Sequence, residues 1–326
     1  MDQSEAAAVQ SEAAVDQSEA AVDQSEAAVD QSEALAARFE EHRPHLKAVA
    51  YRMLGSLAES DDAVQESWIR LSRSDIREVS NLGGWLTTVV GRICLDMLRT
   101  RHARREDSLS VSMDTHVPDP VVSWGEVVDP EHEALLADSV GLALLVVLET
   151  LTPAERLAFV LHDMFAVPFD EVAPIVERTP AATRQLTSRA RRRVQGSAPT
   201  PDNDPVRQRE VVGAFLAAAR GGDFDALLEL LDPDVVLRAD TGETASGLSK
   251  LVRGASVVAG QAAMFSKGAP TTEIALVNGR FGVVGVPDGE VVSVMEFTIA
   301  GGRITELNLL VDPARVRALG LPAFRR

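Results

Sequence analysis

The sequence predicts a multidomain protein in which two all-α helical domains precede an α+β domain. Residues 85–105 combine the apolar spacing of a half-buried helix with a strongly basic end. Residues 169–194 have the pattern of a helix-turn-helix, with two helices joined by a tight connection. After residue 206, two helices are followed by β-rich runs separated by turn dipeptides, which is typical of an α+β fold.

The length, cysteine count and charge of the chain exclude several classes of protein. The 326 residues suffice for about two or three domains, and the single cysteine, Cys94, excludes a disulfide framework and a cysteine zinc site. No apolar run is long enough to span a bilayer and the N-terminus is acidic, so we expect a cytoplasmic protein without membrane contact, metal or cofactor. The net charge of −17 is uneven, since residues 178–193 carry six arginines and no acid. A phosphate backbone responds to that local charge.

The N-terminal half is predicted to be a tail followed by a helical domain. Residues 1–36 repeat an acidic heptad such as DQSEAAV and are expected to form a disordered or transiently helical tail. The domain spans residues 37–106, and Ser60 is predicted to cap a helix that buries Val64 and Leu71. The same helix leaves a polar set outside: Asp61, Asp62, Gln65, Glu66 and Ile69.

The helix that starts at Trp85 ends in a cationic tip suited to a polyanion. Asp96 is the only acid before the tip, which contains Arg99, Arg101, Arg104 and Arg105. Residue types alone leave open whether the helix contacts duplex, single strand or protein. The alternative is an ordinary solvated helix end.

Residues 107–134 form an acidic linker with eight acids among residues 106–134, and residues 135–196 form a second helical domain. There Thr152, Pro153 and Glu155 predict a capping box with proline at the first helical position. Thr179 is predicted to cap the second helix of the helix-turn-helix, with Leu186, Ala190 and Val194 facing the core.

The outward face of that second helix is predicted to enter the major groove. It contains Thr183, Arg184, Thr187, Ser188 and Arg191, whereas Arg189, Arg192 and Arg193 are assigned to the DNA backbone. The alternative is a surface helix whose arginines only complement its dipole.

A linker at 197–205 leads to the α+β domain, residues 206–326. Strands are predicted at 272–277, 280–286, 290–299 and 303–309, with hairpin turns at Asn278-Gly279, Asp288-Gly289 and Gly301-Gly302. No histidine follows His162, and Glu296, which is predicted either to line a cavity or to face solvent, has no partner for acid–base chemistry. We therefore expect regulation or ligand sensing rather than catalysis.

Three segments make the chain similar to extracytoplasmic-function (ECF) sigma factors, the promoter-recognising subunits of bacterial RNA polymerase. They are DDAVQESWIRL at 61–71, WLTTVVGRICLDMLRTRHARRE at 85–106, and the run from LTPAERLAFVLHDMF to RQLTSRARRRV at 151–194. The last domain resembles the SnoaL-like, NTF2-like extension of the SigJ-type branch of this family.

The resemblance implies roles for the exposed residues. Asp61, Asp62, Gln65, Glu66 and Ile69 would bind the β′ clamp helices of core RNA polymerase, and the second helical domain would meet the β flap. The minus-ten element of promoter DNA would be contacted by Arg92, Asp96, Arg99, Arg101, Arg104 and Arg105. The minus-thirty-five element would be contacted by Thr183, Arg184, Thr187, Ser188, Arg191 and Arg192.

The SigJ-type resemblance also implies a regulatory contact between the linker and the last domain. Its expected members are Pro118, Asp119, Pro120, Asp240, Gly242, Asp312 and Pro313. The matching motifs depart from the usual family signatures, and a small ligand in the last domain is a further expectation. Two alternatives remain: a one-component helix-turn-helix regulator with a ligand-binding domain, and an NTF2-like cyclase or isomerase fused to a DNA-binding module.

Overall fold

The first domain of the computed structural model is a bundle of three helices. The structure describes residues 32–75, 79–107, 115–124, 141–197, 201–242, 250–266 and 271–323. Helix α1 (32–54) begins inside the segment predicted as a tail, and α2 (Leu57–Ser72) and α3 (Leu82–Asp107) follow. The bundle closes over Leu46, Val64 and Leu86, which are fully buried. The acidic repeats before residue 32 lie outside the described residues.

Helix α2 begins earlier than the sequence predicts. Ser56 is its N-cap, and Ser60 is a buried residue of the first turns whose hydroxyl donates to the Ser56 carbonyl at 2.5 Å. The prediction that Ser60 caps the helix is wrong. A serine inside a helix can donate its hydroxyl to the carbonyl four residues earlier, so its polarity does not mark the start of the helix.

The second helical domain packs directly on the first. It contains α4 (Leu142–Glu149), α5 (Pro153–Phe159) with a π-helical extension (Val160–Met164), α6 (Phe169–Ile175) and α7 (Pro180–Ser197). The predicted capping box at Thr152 is confirmed. Gly91 of α3 allows the close approach, since a Cβ there would lie 3.3 Å from Leu161 and 3.4 Å from Leu157.

The last domain contains a mixed sheet covered on one side by helices. Its elements are α8 (Pro205–Gly221), α9 (Phe224–Leu230), β2 (Leu231–Asp240), β3 (Lys250–Arg253), α10 (Ala255–Ser266), β4 (Thr272–Val277), β5 (Arg280–Gly285), β6 (Ser293–Ala300), β7 (Arg303–Leu310) and α11 (Pro313–Ala318). The linker adds a short strand, β1 (Val122–Ser123). The strand order is β1-β4-β5-β6-β7-β2-β3, and only β2 and β7 are parallel among these pairs.

The two faces of this sheet have different partners. One face packs against α8, where the rings of Phe215 and Phe297 meet edge to face at 5.3 Å. The opposite face carries Val284, Val294 and Leu310, which belong to the same apolar core as the two helical domains. The three domains are therefore held together by burial. None of the described helices is both long and apolar enough to cross a bilayer.

Candidate nucleic-acid interface and domain junction

Helix α3 presents a polar stripe on the side opposite its buried face. Arg92, Asp96 and Arg99 are exposed and lie four and three residues apart, whereas Val90 and Ile93 are buried. The Arg99 guanidinium lies 3.8 Å from the Asp96 carboxylate. Such a stripe can meet a phosphate backbone without disturbing the core.

The basic tip of α3 is less uniform than the sequence suggests. The Arg101 guanidinium donates to the Leu54 carbonyl at 3.2 Å and forms an ion pair with Glu59, so it ties α3 to α1 and α2. Arg104 and Arg105 belong to α3, but their side chains lie outside the described part of the chain.

Helix α2 carries the five residues that the resemblance assigns to polymerase binding on its outer face. Three are exposed and two are half-buried, while Ala63, Val64 and Leu71 face the core. Asp61 forms an ion pair with Lys47 at 2.7 Å. The set is Asp61, Asp62, Gln65, Glu66 and Ile69.

The helix-turn-helix forms as predicted, and Glu177 completes its turn. Thr179 caps α7 by accepting a hydrogen bond from the Ala182 amide at 3.2 Å. Glu177 takes a left-handed φ of 56°, a conformation that glycine usually supplies. Pro174 lies near the end of α6, where it leaves the motif intact.

Thr183 and Thr187 do not belong to the exposed face of α7. Both are buried, and their hydroxyls donate to the carbonyls of Thr179 and Thr183 at 3.0 and 3.1 Å. The prediction that they face outward is wrong, because with the hydroxyl bonded to the helix itself threonine packs as a small apolar residue. The core face of α7 runs through Thr183, Thr187 and Ala190, with Leu186 and Val194 half-buried beside it.

The exposed face of α7 keeps the other four predicted residues, Arg184, Ser188, Arg191 and Arg192. Arg184 lies over the Phe169 ring, 5.4 Å from its centroid. Arg191 donates to both carboxylate oxygens of Asp163, at 2.5 and 3.3 Å. Gln185 is also exposed on this face, and the sequence reasoning missed it.

The predicted contact between the linker and the last domain exists, and Arg315 is at its centre. The Arg315 guanidinium donates to Asp119 at 2.5 Å, to Asp240 at 2.6 Å and to the Val117 carbonyl at 2.6 Å. Asp240 also accepts from the Val117 amide at 3.0 Å and lies 3.2 Å from His116. Burial would raise the pKa of Asp240, but hydrogen bonds from His116 and Val117 and the charge of Arg315 lower it to about 2.

The start of α11, which positions Arg315, is fixed by three further residues of the predicted contact, Asp312, Pro313 and Gly242. Asp312 caps α11 by accepting from the amides of Ala314 and Arg315, with Pro313 at the first helical position. Gly242 has a φ of 70°, and any side chain there would collide with the Asp312 carboxylate. Glu243 of the same loop lies outside the described residues.

The linker is held equally firmly by the first helical domain. The Asp119 carboxylate accepts from the Leu57 amide at 3.0 Å, and the Asp119 amide donates to the Gly55 carbonyl at 2.8 Å. The Tyr51 hydroxyl donates to the Asp119 carbonyl at 2.5 Å and accepts from Asn278 at 3.1 Å. Pro118 and Pro120 flank Asp119 and are buried. The linker thus lies between two domains.

Glu296 joins the last domain to the second helical domain. Its carboxylate is fully buried and accepts from the Leu142 amide, the first residue of α4, at 2.9 Å. Burial raises the pKa of Glu296 to about 8, although the Leu142 amide and the positive charge of Arg280 oppose that change. Glu296 is fully buried, so the alternative that it faces solvent is wrong.

The domains themselves match known families. Residues 38–104 match Sigma-70 region 2 and residues 141–194 match Sigma-70, region 4. Together with the exposed faces of α2, α3 and α7, these matches define a transcription initiation factor of the sigma-70 class.

Relatives that match most of the chain show which family of sigma factors it belongs to. The chain is 41% identical over 253 residues to the ECF RNA polymerase sigma factor SigJ of Mycobacterium tuberculosis, covering 76% of this chain and 79% of that protein. It is 34% identical over 287 residues to the probable ECF RNA polymerase sigma factor SigI of the same species, covering 87% and 96%. The crystal structure of M. tuberculosis SigJ superposes with a TM-score of 0.70 at 35% identity, covering 89% of this chain and 100% of that one. The chain belongs to the extracytoplasmic-function sigma factor family, whose members bind core RNA polymerase and direct promoter-specific initiation.

Proposed function

We propose that this sigma factor rests in a closed state, held by its C-terminal domain, and opens when it engages polymerase and promoter. In this proposal the outer face of α2 binds the β′ clamp helices, and the second helical domain binds the β flap. The stripe on α3 contacts the minus-ten element and the exposed face of α7 contacts the minus-thirty-five element. The protein acts in the cytoplasm, where its polymerase is, and it has no catalytic role of its own.

The observation that carries the proposal is the proximity of the two DNA-contacting elements. The Arg99 guanidinium of α3 lies 3.9 Å from the Glu177 carboxylate in the turn of the helix-turn-helix. The two promoter elements are centred about 25 base pairs apart, roughly 85 Å of duplex at about 3.4 Å per base pair. Helices in contact cannot reach both elements, so the two helical domains must separate before initiation.

The C-terminal domain stabilises the closed state through the linker. Arg315 connects it to Asp119, and Asp119 in turn holds the start of α2. Glu296 holds the start of α4. At least one of these contacts must break if the helical domains move apart, because the last domain is bonded to the first through the linker and to the second through Glu296.

A ligand-sensing role for the last domain receives less support. The space between the sheet and α8 is filled by apolar side chains such as Phe215 and Phe297. An open cleft of about 320 Å³ lies near α9 and α10, lined by residues that include Leu231, Ser256 and Arg303. Regulation through domain contacts needs no ligand.

Run-off transcription with core RNA polymerase tests the proposal. Asp62→Arg should abolish binding to core enzyme and transcription, because it reverses a charge on the exposed face of α2. Asp225→Arg, a matched exposed change in the last domain, should leave both intact. Equal activity of the two variants would overturn the assignment of the α2 face. Binding to upstream duplex without any requirement for core enzyme would favour a one-component regulator.

A further inference from the structure

Three side chains contact one another beside α7, the second helix of the helix-turn-helix; we call this group the stack. The rings of His162 and Phe169 are stacked with centroids 3.7 Å apart and planes inclined by 29°. The Arg184 guanidinium lies over the same Phe169 ring, at 5.4 Å from its centroid. The stack links the π-helical turn, the first residue of α6 and the exposed face of α7.

The stack is itself fixed to the backbone. Nδ1 of His162 lies 2.9 Å from the Val167 carbonyl, which can only accept, so this nitrogen donates. His162 and Phe169 are both half-buried, whereas Arg184 is exposed. A half-buried aromatic pair therefore supports an exposed cationic side chain, and attraction between the cation and the ring restricts where the guanidinium lies.

Arg184 has the position and the free donors that base reading requires. It lies one turn after the Thr179 cap, and the N-terminal residues of a recognition helix are those that contact base edges. The contact with the ring is a cation–π attraction rather than a hydrogen bond, so it leaves the N–H donors of Arg184 available. No carboxylate of the described residues forms an ion pair with it, and a paired fork of donors matches the two acceptors of guanine.

Arg191 differs in each respect. It lies two turns further along α7, and the Asp163 carboxylate occupies two of its donors. Arg193 is held in the same manner by Glu155, at 2.8 Å. In both arginines a carboxylate of the chain occupies donors that a paired contact with guanine would need.

We propose that Phe169, supported by His162, is a positioning residue that holds Arg184 for reading a base of the upstream promoter element, whereas Asp163 fixes Arg191 as a phosphate contact. The inference rests on the proposed contact of α7 with upstream DNA. It adds a division of labour among the arginines and a sequence-reading role for a residue outside the recognition helix.

The test is competitive transcription by full-length chain and core RNA polymerase from templates randomised over the upstream element. Arg184→Ala should reduce preference about 5- to 150-fold at one or two base positions, as expected for loss of a paired contact. Phe169→Leu should reduce preference at the same positions about two- to fivefold, and Phe169→Trp should retain it. His162→Ala is a second, milder variant that weakens the same stack from the other side.

Two comparisons separate positioning from general damage. The double variant with Phe169→Leu and Arg184→Ala should discriminate no worse than Arg184→Ala, since Phe169 acts through Arg184. Asp163→Asn should change yield on all templates equally. Preferences unchanged by Phe169→Leu and His162→Ala, or independent losses in the double variant, would overturn the inference.

Failure of the proposed function gives a different result. If the unmodified chain initiates nowhere with core enzyme, the same variants are compared for binding to randomised upstream duplex alone. A loss of base preference in Phe169→Leu there still supports the positioning role, and unchanged preference overturns it.

Discussion

Replacing Arg315 by alanine should open the closed state. The Arg315 side chain is 23% exposed, and its guanidinium contacts Asp119, Asp240 and the Val117 carbonyl. The carboxylates of Asp119 and Asp240 are almost completely buried. The substitution removes the arginine that, among the described residues, is shared by the two carboxylates, and it leaves both negative charges within the junction.

The magnitude follows from those contacts. Truncating one partner of a buried, hydrogen-bonded charge pair costs about 2–5 kcal/mol. We expect the lower part of that range, about 2–3 kcal/mol, because Arg315 is partly exposed and each carboxylate keeps a backbone donor, Leu57 for Asp119 and Val117 for Asp240. At 1.36 kcal/mol per factor of ten, the ratio of closed to open chains should fall roughly 30- to 160-fold.

Two assays follow the change. Small-angle scattering should show a larger radius of gyration for Arg315→Ala, and run-off transcription should reach its plateau at a lower concentration of sigma factor. Arg315→Lys keeps the charge but lacks the paired donors of the guanidinium, so its radius of gyration and transcription should lie between those of the unmodified chain and Arg315→Ala. Arg317→Ala is the matched control, since Arg317 lies on the same helix and is exposed, with a hydrogen bond to the Pro313 carbonyl. Scattering and transcription identical for Arg315→Ala and Arg317→Ala would refute the reasoning.

Three further predictions concern stability. Glu177→Gly should raise the thermal midpoint by stabilising the fold by about 1 kcal/mol, because glycine adopts the left-handed φ without strain, whereas Glu171→Gly within α6 should lower it. Burial raises the pKa of Glu296 to about 8, so its favourable contribution is full below about pH 4.5 and is lost as the pH rises through 8; Glu296→Gln should remove this pH dependence in denaturant unfolding. Burial raises the pKa of Cys94 to about 12, so a disulfide reagent should modify this thiol only at the rate of unfolding.

Each of these has an outcome that contradicts it. A lower midpoint for Glu177→Gly would mean that the turn depends on the glutamate side chain rather than on its backbone. An unchanged pH profile in Glu296→Gln would show that another group titrates at the junction. Rapid modification of Cys94 in the folded chain would place it outside the core.

The sequence predicts best where local chemistry decides the structure. Strands β4 to β7 alternate with glycine turns, and Asn278 and Gly279 both adopt positive φ, as a tight hairpin requires. The capping box at Thr152 depends on residues three apart and is likewise readable from the chain. These elements need no knowledge of the remaining domains.

Strand β2 escaped prediction because its chemistry is atypical. It begins with Leu231 and contains Pro233, and the register with β7 shifts between Leu231 and Val236. The irregularity leaves the proline outside the regular ladder, so a residue that normally ends a strand is tolerated. Its pairings with β3 and with β7, the latter more than 60 residues away, make the strand recognisable.

The surfaces of the candidate site were predictable, and the family resemblance indicated the linker contact, but not the arginine at its centre. Periodicity indicates the outer faces of α2 and α3, but Arg315 reaches Asp119 across 196 residues of chain. Nothing local distinguishes Arg315 from Arg317. Thr183 and Thr187 were placed on the wrong face because residue type alone indicates that a threonine is polar. Their hydroxyls bond to carbonyls of their own helix, which allows both side chains to be buried.

The linker strand β1 has a consequence for the opened chain. Val122 and Ser123 cover the outer edge of β4, and the Val121 carbonyl and amide bond to Asn278 beside it. When the linker leaves, the amides and carbonyls of that edge lose their partners and become a template for any extended peptide. Opening of the proposed closed state would therefore expose this edge to self-association until polymerase captures the chain.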